Sequence, residues 1–199
     1  MGNPWTVVIE LARTPLSQPA SLASSVDFNQ LYWANVQGVS RWVRRLGGLG
    51  IEVEDATQEV FLLAYRELRQ LRAGTDARPW LFGIARNVVR HHQKARHRTR
   101  RLAVGLNTPN SPPDDPAAAT IREVDGLYRL LDQLPEKYRV PVILFELEEL
   151  PGEEIAMLLG IKLATCWTLI RRGRKKLEAR AAALERAEVE RMRRKRSLP

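Results

Sequence analysis

Apolar residues recur every three or four positions in several separate stretches of the chain, a spacing typical of amphipathic helices. In the N-terminal half this pattern predicts one helix over 27–46 and a second over about 52–71. A third begins near Pro79, a residue that suits the first turn of a helix, and continues into the basic segment that ends at Arg101. No stretch alternates apolar and polar residues cleanly, so no strand is predicted.

The C-terminal half shows the same spacing after a segment that interrupts it. Residues 102–119 contain four prolines and two adjacent aspartates, which predict a flexible linker. Helical spacing returns at about 120–134, again after Pro135, and in two short helices near 153–159 and 163–180.

These elements predict an all-α fold of two small helical domains joined by a flexible linker, the second a helix-turn-helix, winged-helix-like domain. The basic C-terminal segment either extends the last helix, with pairs such as Glu190 and Arg194 four residues apart, or is disordered. The expected boundaries are a flexible N-terminal tail over 1–26, a first domain over 27–101, the linker over 102–119, a second domain over 120–180 and a basic C-terminal tail over 181–199.

Composition narrows the class of protein. The chain has 199 residues, 44% hydrophobic and 28% charged, enough for one or two small domains with real cores. No run of 18 apolar residues exists, and the short apolar segment 5–12 lacks a basic lead, so neither a membrane span nor a signal peptide is expected. The single cysteine, Cys166, excludes an internal disulfide and fits a reducing compartment, so we expect a cytoplasmic protein.

The formal net charge of +9 is unevenly placed along the chain. Residues 1–85 balance to zero, 86–101 carry +7, 102–161 carry −7 and 162–199 carry +9. Two basic segments on either side of an acidic one indicate two separate anionic contacts, and nucleic acid is the commonest such partner. Two solvated helix ends would produce the same pattern and are the alternative.

The segment 154–161 has the features of a helix-turn-helix. Ala156 is small where two helices would cross, and Gly160 occupies a turn that requires a positive φ angle. An αα-hairpin without DNA is the alternative, and Trp167 would pack equally well on the neighbouring helix. The expected core of the motif comprises Ile155, Leu159, Ile161, Cys166 and Ile170. The outer side of the next helix carries Ala164, Trp167, Thr168, Arg171 and Arg174, which suits the major groove of DNA.

Two further groups of polar residues lie in the first domain. Asp55 and Glu59 share one face of the second helix with an exposed Leu62, which suits a basic partner protein; a solvated helix N-terminus is the alternative. The third helix carries a basic stripe beside an amide and an aromatic residue, which suits melted DNA; the alternative places the aromatic residue in the core and the arginines in water. This second group comprises Gly74, Trp80, Arg86, Asn87, Arg90 and Lys94.

Groups for catalysis or metal binding are not apparent in the sequence. The histidines at 91, 92 and 97 lack a fourth ligand, so no metal and no other cofactor is expected. There is no nucleophile–base pair, phosphate loop or pair of carboxylates in a cleft, so we expect no enzyme.

Two runs in the first domain resemble conserved region 2 of bacterial sigma factors: 55–66 (Asp-Ala-Thr-Gln-Glu-Val-Phe-Leu-Leu-Ala-Tyr-Arg) and 78–89 (Arg-Pro-Trp-Leu-Phe-Gly-Ile-Ala-Arg-Asn-Val-Val). The segment that starts with Leu-Pro-Glu-Lys-Tyr-Arg at 134–139 and ends with Gly-Ile at 160–161 resembles region 4. Because the linker leaves no room for a region 3 domain, the chain is similar to the extracytoplasmic-function (ECF) group of the sigma-70 family.

This resemblance implies a transcription initiation factor that binds core RNA polymerase, directs it to promoters and assists opening of the DNA. The β′ clamp helices would contact Asp55, Gln58, Glu59 and Leu62, and the tip of the β flap would hold the second domain. An anti-sigma factor is a further candidate partner, and no membrane contact is implied. The promoter −10 element would contact Gly74, Arg78, Trp80, Arg86, Asn87, Arg90 and Lys94. The −35 element would contact Trp167, Thr168, Arg171, Arg172, Arg174 and Lys175.

The linker length is compatible with two promoter contacts. Eighteen residues, 102–119, reach at most about 60 Å when fully extended. At about 3.4 Å per base pair this corresponds to roughly 17–18 base pairs of duplex.

Two other functions also fit parts of the chain. A helix-turn-helix regulator that does not replace a sigma factor would leave the first domain without a role. A sigma-like decoy that binds polymerase or an antagonist without initiating transcription is favoured by two departures from the resemblance: Trp167 stands at a usually basic position and Leu169 at a common arginine position.

Overall fold

The computed structural model describes residues 26–72, 74–102 and 116–196. These residues form seven α-helices and one 3₁₀ turn, and none of them lies in a strand, so the all-α prediction is confirmed. The sequence-based predictions for residues 1–25, for most of the linker and for 197–199 lie outside the described residues. The helices divide into two compact units: α1 to α3 belong to the first, and α4, α5, α7 and the start of α6 belong to the second.

The first unit contains three helices that pack against one another in every pairing. Helix α1 spans Phe28–Gly47, α2 spans Val53–Glu67 and continues into the 3₁₀ turn Leu68–Gln70, and α3 spans Arg78–Leu102. Their apolar stripes meet in a core in which Phe61 and Phe82 are fully buried. The helix positions therefore follow the predicted periodicity to within a few residues.

Capping residues explain where these helices begin and end. Asp27 accepts a hydrogen bond from the Asn29 amide at 2.9 Å and caps α1, a role typical of aspartate. Gly48, with φ +69°, ends α1 in a backbone conformation that a side chain would strain. Buried Gln93 on α3 donates to the Leu46 carbonyl at 2.8 Å, and Arg96 donates to the Leu49 carbonyl at 2.7 Å, so α3 also holds the loop between α1 and α2.

The second unit is also helical throughout its described residues. Helix α4 spans Pro116–Asp132, α5 spans Glu136–Glu146, α6 spans Gly152–Leu159 and α7 spans Leu163–Arg196. Helix α7 packs on both α5 and α4. No β wing occurs among the residues described here, so this part of the unit is a helix-turn-helix with further helices.

Two elements differ in length from the sequence-based expectation. The segment 116–119, assigned to the linker, is helical, because Pro116 suits a first turn and the three alanines that follow are strong helix formers. Because Leu102 also belongs to α3, five residues of the expected linker are helical, or about 17 Å of its maximal reach. The basic C-terminal segment continues α7 as far as Arg196, and the expected ion pair between Arg194 and Glu190 forms at 3.0 Å.

A buried glycine accounts for the close crossing of α5 and α7. A methyl group at Gly173 would lie 2.5 Å from Cγ2 of Val142 and 3.2 Å from the carbonyl oxygen of Tyr138. Glycine costs about 1 kcal/mol relative to alanine inside a helix. Here that cost is offset because the missing side chain lets the two helices pack directly.

Candidate nucleic-acid interface

The exposed face of α3 carries a row of polar side chains at helical spacing. Asn87, Arg90 and Lys94 are all exposed, and His91 and Arg98 lie on the same face. Of the remaining residues predicted for this site, Trp80, Arg78 and Arg86 are half-buried. The structure therefore brings the amide and two of the basic residues to one surface, whereas Trp80 has part of its ring in the domain.

The loop before α3 is fixed by local hydrogen bonding. Asp76 accepts a hydrogen bond from the Arg78 amide at 2.9 Å and so caps the start of the helix. Gly74 is exposed and has φ +77°, a conformation that favours glycine, and no atom lies within 4 Å of the position of a Cβ there. The loop thus presents bare backbone next to the helix that carries Asn87.

The side chains of Asn87 and Arg90 are connected. Nη2 of Arg90 donates to Oδ1 of Asn87 at 2.8 Å. The carboxamide oxygen is therefore occupied, and the two N–H donors of the amide point away from it. A group that approaches Asn87 from solvent meets hydrogen-bond donors beside a guanidinium.

Sequence reasoning missed one residue of this face, Gly83. It is exposed one turn after Trp80 and one turn before Asn87, and a methyl group there would contact nothing within 4 Å. A glycine inside a helix costs about 1 kcal/mol relative to alanine. Since no neighbour in the described structure needs the space, a gap remains between Trp80 and Asn87 on the outer surface.

The acidic face of α2 is formed as expected, with one difference. Asp55 is exposed, while Gln58 and Glu59 are half-buried. Leu62, which we expected to be exposed, is half-buried. The difference arises because the face lies at the edge of the contact between α2 and α3 rather than directly opposite the core.

A contact between this face and α3 was not anticipated from the sequence. Oε2 of Glu59 lies 2.8 Å from Nε2 of His92, whose side chain is 35% exposed. The two residues are 33 positions apart, so no local pattern pairs them. The acidic face and the basic helix are therefore physically joined.

The helix-turn-helix geometry agrees with the motif in the second unit. Gly160 has φ +63°, and the Ile161 amide donates to the Ala156 carbonyl at 3.0 Å across the turn. Of the five residues expected in the motif core, Ile155, Cys166 and Ile170 are buried. The expectation was wrong for Leu159 and Ile161, which are half-buried because they flank the turn itself.

The pKa of the Cys166 thiol is raised from 9.0. Burial is the main cause, since it disfavours the thiolate, and the negative charge of Glu153 acts in the same direction. The thiol therefore behaves as a small apolar core group.

The outer surface of α7 divides into two strips. Arg171, Arg172 and Lys175 are exposed on one strip. Thr168 lies with them, half-buried, and its hydroxyl donates to the Ala164 carbonyl at 2.9 Å. This hydroxyl therefore presents its acceptor lone pairs and its methyl group outward.

The other strip carries Trp167 and Arg174, both of which contact α5. The Trp167 indole meets the Phe145 ring edge-on, with 5.4 Å between ring centroids. Arg174 forms an ion pair with Glu146. The alternative in which Trp167 packs on the neighbouring helix is thus the one that the structure supports.

The described part of the chain holds no group of three or more histidine, cysteine, aspartate or glutamate side chains that could bind a metal ion. Among residues 26–72, 74–102 and 116–196, none of the helices combines the length and apolar character needed to cross a membrane.

Comparison with known families assigns both units. Residues 31–99 match the family model for Sigma-70 region 2, and residues 125–177 match the model for Sigma-70, region 4. Both matched stretches contain the surfaces described above.

Individual sigma factors are similar in sequence to this chain. The ECF RNA polymerase sigma factor SigE of Mycolicibacterium smegmatis is 33% identical over 159 residues, which span 78% of this chain and 62% of SigE, less than two thirds of its length. The RNA polymerase sigma-H factor of Pseudomonas aeruginosa is 30% identical over 138 residues, which span 64% of this chain and 72% of that protein.

A solved structure shares the fold. The sigma factor RpoE of Bartonella quintana, crystallised with the anti-sigma factor NepR, aligns with a TM-score of 0.52 at 19% identity, over 77% of this chain and 95% of that chain.

Proposed function

Because this chain belongs to the sigma-70 family of RNA polymerase sigma factors, in its ECF group, we propose that it binds core RNA polymerase, directs it to promoters and assists opening of the DNA. The family is one of initiation factors rather than enzymes. One observation carries the proposal: a single chain presents an exposed amide-and-arginine row on α3 and a separate helix-turn-helix with exposed arginines. Such a factor works in the cytoplasm, where polymerase meets promoter DNA.

The first unit supplies the contact with the −10 element. The donors of Asn87 suit an acceptor atom on an unstacked base, and Arg90 and Lys94 suit the phosphates beside it. The gap at Gly83 gives a nucleotide room to approach the helix backbone between Trp80 and Asn87. Gly74, Arg78 and Arg86 complete the site at the start of α3 and along its edge.

The acidic face of α2 supplies the contact with polymerase. Asp55, Gln58 and Glu59 offer acceptors to basic side chains of the β′ clamp helices, and Leu62 offers a partly exposed apolar contact. The contact between Glu59 and His92 links this docking face to the helix that holds the melted strand.

The second unit supplies the contact with the −35 element and is held by the β flap. Arg171, Arg172 and Lys175 suit phosphates and guanine edges in the major groove. Thr168, whose hydroxyl proton is used by Ala164, suits a base donor or the methyl group of thymine. An anti-sigma factor is a further proposed partner, by analogy with the RpoE–NepR complex.

The experiment that tests the proposal is run-off transcription with the purified chain, core polymerase and genomic DNA fragments. We expect discrete promoter-specific products that core polymerase alone does not produce. A matched control carries Asp55→Lys and Glu59→Lys and should fail to yield products while still binding free DNA. Absence of any specific product from the wild-type chain would contradict the proposal.

A sigma-like decoy is the second candidate, because Trp167 and Leu169 stand where the family usually has basic residues. A pull-down with core polymerase separates the two functions. Polymerase binding together with specific products supports the initiation factor, whereas binding without any product supports the decoy.

A further inference from the structure

Trp167 and Arg174 lie two helical turns apart on the same side of α7, and both reach toward α5. Trp167 contacts Phe145 edge-on. The guanidinium of Arg174 lies over the same Phe145 ring, 5.1 Å from its centroid, and pairs with the neighbouring Glu146. One aromatic ring of α5 is therefore held from both ends by residues of α7.

A second contact fixes Trp167 from the side of α6. A methyl group at Gly152, the first residue of α6, would lie 2.5 Å from Cζ2 and 2.8 Å from Cε2 of the Trp167 indole. No real methyl group tolerates such distances, so the indole occupies the space that any other residue at position 152 would fill. Gly152 is buried for the same reason.

These contacts distinguish the strip of α7 that packs on α5 from the strip that is open to solvent. Ile170 and Gly173 lie in the buried face, between the turns that carry Trp167 and Arg174. Thr165, Arg171, Arg172 and Lys175 are exposed, and Thr168 is half-buried. A side chain that is stacked on Phe145 or paired with Glu146 has its strongest partners within the protein.

We propose that Trp167 and Arg174 are positioning residues that fix the recognition helix α7 through Gly152, Phe145 and Glu146, and that base reading belongs to the strip containing Thr168, Arg171 and Arg172. This inference rests on the proposed promoter-binding function and revises the expectation that Trp167 and Arg174 contact the −35 element. It also gives the unusual tryptophan a structural reason.

The test begins with the holoenzyme formed from the full chain and core polymerase. A pool of duplexes with randomised bases is selected by wild-type holoenzyme, and the enriched sequence becomes the probe. We expect the Trp167→Phe holoenzyme to enrich the same sequence and to bind it within about twofold, because a phenylalanine ring still packs on Phe145. The matched control Arg171→Ala should lose preference at one or two base positions.

Coupling between Gly152 and Trp167 provides a readout that a DNA contact alone would not give. In the wild-type background, Gly152→Ala should raise the unfolding equilibrium constant in urea roughly ten- to a hundredfold, because its methyl group collides with the indole. In the Trp167→Phe background the same change should have an effect of less than about threefold, because the shorter ring leaves room.

The salt dependence of duplex binding distinguishes Arg174 from Lys175, an exposed residue suited to a phosphate contact. We expect Lys175→Ala to reduce the slope of log affinity against log salt by about 0.9, and Arg174→Ala to leave it unchanged. Equal reductions, or an altered enriched sequence for Trp167→Phe, would overturn the positioning role. Equal penalties for Gly152→Ala in both backgrounds would also overturn it. A wild-type holoenzyme that enriches no sequence contradicts the proposed function instead. The urea measurements test the contact between Gly152 and Trp167 independently of that result.

Discussion

Oε2 of Glu59 on α2 lies 2.8 Å from Nε2 of His92 on α3. This contact connects the face proposed to dock on polymerase with the helix proposed to hold melted DNA. Both side chains are more than a third exposed, at 42% for Glu59 and 35% for His92. Water therefore screens the pair, and its contribution to stability is small.

We predict that Glu59→Gln weakens binding to core polymerase by about tenfold, since a charged partner contact is lost. His92→Gln should change that affinity by less than about threefold, because Glu59 keeps its charge. Both variants should lower the free energy of unfolding by less than about 1 kcal/mol, as expected for an exposed pair. Polymerase affinity from fluorescence anisotropy and stability from urea denaturation provide the two measurements.

The His92→Gln variant can contradict the assignment of Glu59 to the polymerase contact. A loss of polymerase binding by His92→Gln as large as that of Glu59→Gln would show that the pair acts as a unit. Asp55→Asn serves as the reference for an acidic residue of the same face that makes no contact with His92.

We predict opposite effects for alanine at two helix glycines. Gly83→Ala should stabilise the first unit by up to about 1 kcal/mol, because the position is exposed and the new methyl group meets nothing. Gly173→Ala should destabilise the second unit by about 1–3 kcal/mol, because the methyl group collides with Val142. Thermal or urea denaturation of the two variants measures both signs. A Gly173→Ala variant that is as stable as the wild type would contradict the packing described for Gly173, and a destabilised Gly83→Ala variant would contradict the open position of Gly83.

The Gly83→Ala variant also tests whether the surface at Gly83 accepts a nucleotide. If the gap between Trp80 and Asn87 admits a nucleotide, Gly83→Ala should weaken binding of single-stranded DNA despite the gain in stability. A more stable protein with unchanged or tighter single-strand binding would count against a role for the gap.

We predict that Asn87→Asp weakens binding of single-stranded −10 DNA more than Asn87→Ala does. Aspartate keeps an oxygen for Arg90 but replaces the two outward donors with a negative charge, which repels phosphate. The expected loss is on the order of tenfold for alanine and larger for aspartate. Electrophoretic mobility shifts at fixed salt measure both, and a tighter complex with the aspartate variant would exclude Asn87 from the DNA surface.

We predict that Cys166 reacts at least about tenfold more slowly with iodoacetamide in the native chain than in the urea-unfolded chain, because the thiol is buried and its pKa is raised. The raised pKa also determines the sign of a pH effect. The unfolded thiol ionises at a lower pH than the folded one, so the unfolded state releases its proton first and stability falls as pH rises through about 9.

A Cys166→Ala variant is the control for this pH effect. Its free energy of unfolding should fall less between about pH 7 and pH 9.5 than that of the wild type, because the titrating group is absent. An equal fall in both proteins would assign the pH dependence to other groups.

The fold was largely predictable because the helices are amphipathic and have recognisable proline and glycine residues at their ends. Pro79 and Gly160 stand at positions that proline and glycine favour for backbone reasons, and both have the predicted roles. The linker prediction is wrong for 116–119, because the helix propensity of the alanines that follow Pro116 outweighs the proline-rich composition of the segment.

The candidate site was predictable to the level of helix faces but not of contacts. Spacing alone places Asn87, Arg90 and Lys94 together, since they share one side of a helix. The partnership of Glu59 with His92 depends on how α2 and α3 pack, and nothing local in the sequence encodes it. The close approach of the partly exposed Trp167 indole to α6 depends on the absence of a side chain at Gly152, fifteen positions away, which only tertiary structure reveals.

Helix α7 is one uninterrupted element of 34 residues, about 51 Å long. Its N-terminal turns form the proposed reading surface, and its last turns carry the basic C-terminal segment. Thr168 and Arg194 are separated by about 39 Å along the helix axis. Because a continuous helix tilts as one body, a small tilt at one residue becomes a larger displacement at the other. A tilt of about 10° at the anchored end would displace Arg194 by about 7 Å. A molecule that binds the C-terminal end of α7 and tilts it therefore also changes the angle at which the N-terminal end lies on DNA.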